Sequence, residues 1–136
     1  MLTLLQGLQS QFNLSTNLTS TFAGGLEVDQ AKDNENLPLC VLAISPPAPA
    51  TFQNAGASSP YVETIMCVFT IYATDPNTVQ NTEAFLDAAY NRTSFSVAPD
   101  YLLLSIRNGG GNPYRDIDGK TWRADYAYKF VVQRFS

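Results

Sequence analysis

The sequence predicts an α+β fold: an antiparallel or mixed sheet of about four strands, two helices packed on one face, and an extended Pro-rich loop. Three observations lead there. From Thr121 to Phe135 the chain alternates almost strictly, with Trp122, Ala124, Tyr126, Tyr128, Phe130 and Val132 on one side and Arg123, Asp125, Lys129 and Gln133 on the other. A period of two marks a strand with one buried and one wet face. From Tyr61 to Thr74 a second long strand pattern places Ile65, Cys67, Phe69 and Ile71 together. Between these two strands lies a helical stripe of Val79, Phe85, Leu86, Ala89 and Tyr90, introduced by Asp75-Pro76. Asp is a good N-cap and Pro a good first helical residue.

The elements follow in order. Leu2, Leu4, Leu5, Leu8 and Phe12 stand at helical spacing, so Met1 to about Phe12 is expected as an amphipathic helix. The Ser/Thr/Asn-rich stretch from Asn13 to Gly25 is expected as a loop, and Leu26 to Ala31 as a short polar strand. Leu37 to Ser45 is a continuous apolar run bounded by turn residues, which favours a buried strand. The segment 46–60 holds Pro46, Pro47, Pro49 and Pro60 among Ala, Gly and Ser. Two readings stand for it: a floppy hairpin tip, or an arm that reaches a partner. After the central helix, which places Arg92 near its C-terminus, Leu102 to Arg107 forms the next strand. A long turn, Asn108 to Lys120, carries Asp118-Gly119 as a tight-turn signal before the last strand.

The last strand is long. Fifteen residues span about 50 Å at roughly 3.3 Å each, whereas a compact chain of this length is only about 37 Å across. Such a strand needs another long strand beside it, or another subunit.

A length of 136 residues fits one domain, and a hydrophobic fraction of 45% implies a real core. No apolar run approaches the ~20 residues of a membrane span. The N-terminus lacks the basic region and apolar stretch of a signal peptide. Cys40 and Cys67 read as buried thiols, with a cross-strand pair as the alternative. Three sequons, at Asn13, Asn17 and Asn91, denote polar surface only without a secretory context. Net charge is −4, which argues against a general nucleic-acid binder. The charge is uneven: residues 1–100 hold nine acidic and two basic residues, residues 101–136 three acidic and six basic. This asymmetry suits either a solvated strand face or head-to-tail self-association between flanks of opposite sign. The candidate subunit interface is therefore Arg115, Asp116, Lys120, Arg123, Lys129 and Arg134, together with Phe52 and Tyr61.

The residue set offers little chemistry. There is no histidine, which removes the His-dependent nucleophile systems and the commonest metal ligand. Two separated cysteines cannot build a four-ligand zinc site. Asn108-Gly109-Gly110-Gly111-Asn112 has no following Gly-Lys-Ser/Thr and reads as a hairpin loop. Asp116-Ile117-Asp118-Gly119 lacks the other ligands of a calcium loop. Glu83 and Asp87, four apart on a helix, could form an acid–base pair, but a solvated helix face is the commoner use of such residues. No catalytic residue, cofactor or metal is expected.

The whole order of elements resembles the tail terminator or tail completion proteins of long-tailed bacteriophages. It runs from a leading helix and loop through the Leu37-Pro38 strand start, the Pro/Gly-rich excursion and the strand Tyr61–Ala73. The helix Asp75–Arg92 and the closing strand Trp122–Val132 complete it. The resemblance implies a virion protein, assembled in the host cytoplasm, that forms a ring, commonly hexameric. That ring caps the tail tube, ends its polymerisation and joins the tail to the head. It further implies a tail-tube protein and a head-neck connector as partners, no membrane, and DNA only as cargo passing through the lumen. The family has no invariant active residues to place on this sequence. The alternatives are another head–tail neck protein, a non-viral dimeric α+β binding module, or, last, a small enzyme using Glu83, Asp87 or Asp116.

Overall fold

The structure, a computed structural model, describes residues 2–22, 25–28, 37–45, 48–49, 61–116 and 119–134. Among the described residues, three helices, α1 (Leu2–Leu14), α2 (Thr16–Thr21) and α3 (Pro76–Tyr90), accompany seven strands. These are β1 (Leu26–Val28), β2 (Leu39–Ile44), β3 (Ala48–Pro49), β4 (Tyr61–Ala73), β5 (Tyr101–Gly110), β6 (Tyr114–Arg115) and β7 (Trp122–Arg134). The sheet order is β1-β2-β4-β7-β5, with β3 added on β4 and β6 on β7. All pairings are antiparallel except β1 with β2. The fold is α+β, as expected, with one more helix and more strands than the four read from the sequence.

The strand that looked too long for its own domain has an internal partner. β7 pairs with β4 along its whole length, from Tyr61 opposite Arg134 to Ala73 opposite Trp122. The ladder runs about 43 Å at roughly 3.3 Å per residue. Its length is thus satisfied within the subunit.

Alternation then sorts the side chains. Ile65, Cys67, Phe69 and Ile71 of β4 and Ala124, Tyr126, Tyr128, Phe130 and Val132 of β7 are all buried on one face. Cys40 and Leu42 of β2 extend that face, opposite Ile71 and Phe69. The helices cover it. α1 contributes Leu4, Leu8 and Phe12, and α3 contributes Val79, Leu86, Ala89 and Tyr90. Tyr90 stacks on Phe69 at 4.9 Å between ring centroids and meets Tyr128 edge-on at 6.0 Å. Its hydroxyl donates to the Leu8 carbonyl at 2.7 Å, tying α3 to α1. Burial raises the Tyr90 and Tyr128 hydroxyls and pushes Tyr126 up to about 12. Cys40 and Cys67 are free, buried thiols. Burial raises both, Cys67 to about 12.

Two local features explain where the helices start. Asp75 accepts from the Asn77 N–H at 2.8 Å, capping α3 as its sequence position implies. Ser15 caps α2 by accepting from the Leu18 N–H at 3.3 Å. Thr19 and Thr21 return their hydroxyls to backbone carbonyls one helical turn back. The polar stretch was expected as a loop because hydroxyl residues compete with the helix backbone. Here Leu18 and Phe22, both buried, anchor it to the core, and the hydroxyls join the helical turn. β1 is described from Leu26 to Val28, and residues 29–31 of its expected range lie outside the described residues; so does the arm or hairpin expected over 46–60, except Ala48–Pro49, which pair with β4 as β3.

Candidate subunit interface

Most of the described charged side chains fall into three groups. The first joins β5 to α3. Arg107 NH1 lies 3.0 Å from Glu83 Oε2 and 3.1 Å from Asp87 Oδ1. Its Nε and NH2 donate to the Gly109 and Gly110 carbonyls at 2.8 and 2.9 Å, and the guanidinium sits 5.0 Å from the Tyr126 ring centre. Burial alone would lower its pKa; the hydrogen bonds to the two carboxylates outweigh that and raise it. Asp87 also accepts from the Tyr128 hydroxyl at 2.5 Å. Glu83 and Asp87 are therefore both engaged in holding an arginine.

The second group lies where β7 begins. Arg123 faces Asp116 at 3.9 Å and Asp125 at 3.5 Å, over the rings of Tyr72 and Tyr114 at 5.5 and 5.9 Å. Tyr114 donates to Asp125 at 3.0 Å, and Thr70 donates to the other Asp125 oxygen at 2.7 Å. Arg115 lies over Trp122 and donates to the Gly119 carbonyl at 2.9 Å. Lys120 is exposed in the adjoining turn. The structure thus gathers four of the eight expected interface residues, Arg115, Asp116, Lys120 and Arg123, at one end of the sheet.

The third group is at the opposite end of β7. Arg134 Nε lies 2.9 Å from Asp100 Oδ2, an ion-pair distance without hydrogen-bond alignment. Its NH1 lies 3.3 Å from Glu63 Oε1. Thr3 donates to the same Asp100 oxygen at 2.7 Å. The Asp100 side chain is 1% exposed, so its charge is compensated inside the subunit. Arg134 works here as an internal tie between α1, β4, the entry to β5 and β7. Eleven residues along one strand put it about 36 Å from Arg123.

The remaining expected residues scatter. Lys129 stands half-buried on the sheet face turned away from the helices, in register with Met66 and Ile106, and has no ion pair among the described residues. Tyr61 opens β4 opposite Arg134. Phe52 lies outside the described residues.

Sequence reasoning missed an exposed apolar patch on one strand. Tyr101 is 63% exposed, Leu103 54% and Leu104 38%, all on β5. Strand order makes β5 an edge strand, with no neighbour beyond it among the described residues. Its ladder with β7 shifts register between Leu102 and Leu104 and again between Arg107 and Gly109. The available signal was the unbroken run Leu102-Leu103-Leu104. Such a run usually means a strand covered on both faces; on an edge it leaves apolar side chains in water.

Among the described residues no group of three or more Cys, Asp or Glu is placed to hold a metal ion. No described helix is long and apolar enough to cross a membrane.

No family model matches the sequence, and no curated protein does. Solved structures do match in shape. A chain from the virion of a native gene transfer agent particle is similar, with a TM-score of 0.70 at 12% identity over 95% of this chain and 93% of that one. A second solved chain has a TM-score of 0.64 at 11% identity, covering 98% of this chain and 96% of that one. Identities this low establish a shared fold over nearly the full length of both chains.

Proposed function

We propose that this chain is a structural protein of a phage-like particle, a tail terminator whose ring caps the tail tube, stops its polymerisation and offers a surface for joining the head. The observation that carries the reading is the end-to-end likeness to a chain of a gene transfer agent virion. Two features of the subunit support it. The carboxylates nearest to a catalytic arrangement are locked onto Arg107. An apolar edge strand stands exposed, as suits a subunit made to be built into something larger. The cluster Arg115, Asp116, Lys120 and Arg123 would set orientation against a neighbour, and Lys129 would meet a neighbour's carboxylate. The ring, commonly of six, would work in the virion with the tube protein on one side and a head-neck protein on the other.

Deleting the gene tests this. Tails of abnormal length, restored to normal by the wild-type chain, are expected by electron microscopy. Normal-length tails that fail to join heads would make it a neck protein instead. Normal tails already joined to heads would overturn both.

A further inference from the structure

The sheet face turned away from the helices is apolar at its centre. Alternation puts Ala127, Lys129 and Val131 of β7 outward, between the buried Tyr126, Tyr128, Phe130 and Val132. Register sets their neighbours. Met66 of β4 and Ile106 of β5 flank Lys129, Val68 lies opposite Ala127, and Leu104 lies opposite Val131. Lys129 therefore has an apolar residue on each of its four sides. The ends of the face are polar. At one end Thr70 donates to Asp125 at 2.7 Å, and Arg123 faces Asp125 and Asp116. At the other, Gln133 stands beside Val62. An apolar centre inside a polar rim is the anatomy of a protein interface.

An antiparallel sheet covered on one face ordinarily shows polar residues on the other. Here the described helices pack on the opposite face, yet apolar residues occupy the middle of this one. Lys129 is half-buried among them and has neither an ion pair nor a hydrogen bond among the described residues. The nearest carboxylate on the same side of β7 is Asp125, four residues back, or about 13 Å at roughly 3.3 Å per residue. Arg123 and Thr70 already hold it.

We propose that this face docks a different protein of the particle, through an apolar surface that carries a carboxylate at its centre. Charge chooses the occupant. Docking takes Lys129 out of water, and a buried charge is costly unless it is paired. The pairing anion has to come from the occupant. Two copies of this chain packed about a twofold axis at this centre would set lysine against lysine. Every carboxylate among the described residues already has a partner, so no other arrangement of two copies supplies one of these without breaking a contact. An apolar surface without the carboxylate is rejected by the unpaired lysine, so Lys129 sets specificity. The proposal rests on the virion reading and names the surface and the kind of protein that meets it.

Photo-cross-linking tests it, with the full chain in cells that make the particle. Benzoylphenylalanine replaces Ala127 at the centre of the face, or Asn108 at its border, whose Nδ2 lies 3.9 Å from the Met66 Sδ. Each variant is checked for an unchanged circular dichroism spectrum. The expected adduct joins one copy of this chain to a second particle protein, attached beside an Asp or Glu of that protein. Lys129→Arg should keep the adduct, and Lys129→Met should reduce it at least about tenfold, as loss of one partner of a buried charge pair does. On the unmodified chain, an amine-acetylating reagent should label Lys129 in the purified subunit and not in intact particles. The proposal is overturned by an adduct between two copies, by no adduct from either folded variant, or by an attachment point with no acidic residue nearby. It is equally overturned by an adduct undiminished in Lys129→Met or by a Lys129 that stays reactive in particles. Deletion separates its failure from that of the terminator reading. If the adduct forms as expected but deletion leaves normal tails joined to heads, the surface stands and the terminator role is wrong. If deletion alters tail length but no adduct forms, the role stands and the surface is wrong.

Discussion

β7 has two neighbours, and they treat it differently. On one side β4 follows it from end to end without a break in register. On the other, β5 follows it with two register shifts, three positive-φ glycines at or just past its end, and Tyr101, Leu103 and Leu104 in water. The unbroken ladder carries the aromatic core beneath the helices. The broken one ends the sheet with an apolar edge. Regular pairing here goes with stability, and irregular pairing with a surface left over for something else.

That contrast is open to attack from its stable side first. Tyr90, Tyr126 and Tyr128 are buried on the helix-covered face, and burial raises all three hydroxyls above the ordinary value of 10. Groups raised in the folded state give a contribution that is complete below pH 10, where both states are neutral. As pH rises above 10 the unfolded chain ionises first and the folded state loses ground. The loss is at most about 1.4 kcal/mol per tyrosine for each pH unit, or roughly 4 kcal/mol for three. Denaturant midpoints measured from pH 9 to 12 should fall steeply above 10. A flat profile would mean that these rings are not held in a dry core.

Phe130→Ala should come next in size. The ring is fully buried, in register with Ile65 of β4 and Ser105 of β5. Removing it should cost about 3–5 kcal/mol by chemical denaturation. A loss under about 1 kcal/mol, well below the range for such truncations, would show that the β4–β7 face is not the stabilising one.

Gly110, at the end of β5, and Gly119, in the turn before β7, sharpen the irregular side. Gly110 has φ 89°, and a Cβ there would lie 2.0 Å from the Asp125 carbonyl oxygen. Gly119 has φ 71° with open space around it. Gly119→Ala should cost about 1 kcal/mol, the left-handed backbone term alone. Gly110→Ala should cost more, about 2–3 kcal/mol, because backbone must move as well. Equal melting temperatures for the two variants would show that the close approach of β5 to β7 is not required.

Much of this was legible in the sequence, and the limits have physical causes. Alternation at Tyr61–Ala73 and Trp122–Arg134 fixes which side chains face inward, because one face of each strand is fully covered. The Asp75-Pro76 start of α3 could be read directly, since a cap is a local event. α2 could not, because Ser15 and three threonines look like loop until Leu18 and Phe22 find a core to enter. The charged residues of β7 were legible as a wet face, but not as ion pairs. Arg134 finds Asp100 and Glu63, which are remote in sequence and adjacent only in the folded sheet. β5 was legible as a strand but not as an edge, since edge position belongs to the strand order and not to the strand.

The smallest expected effect bears most directly on the contrast. Leu103 is a large apolar residue in a strand, as Phe130 is, yet it is 54% exposed. If β5 is a surface left for another chain, its leucine contributes little to the isolated subunit. Leu103→Ala should shift stability by no more than about 0.5 kcal/mol, the range of ordinary surface substitutions. The measurement must be made at a concentration where the subunit is monomeric, because an oligomer would add association energy to the unfolding midpoint. A loss of about 2 kcal/mol or more, in the range for burial of an apolar side chain, would mean that Leu103 is packed within the monomer. The two flanks of β7 would then differ in regularity but not in role.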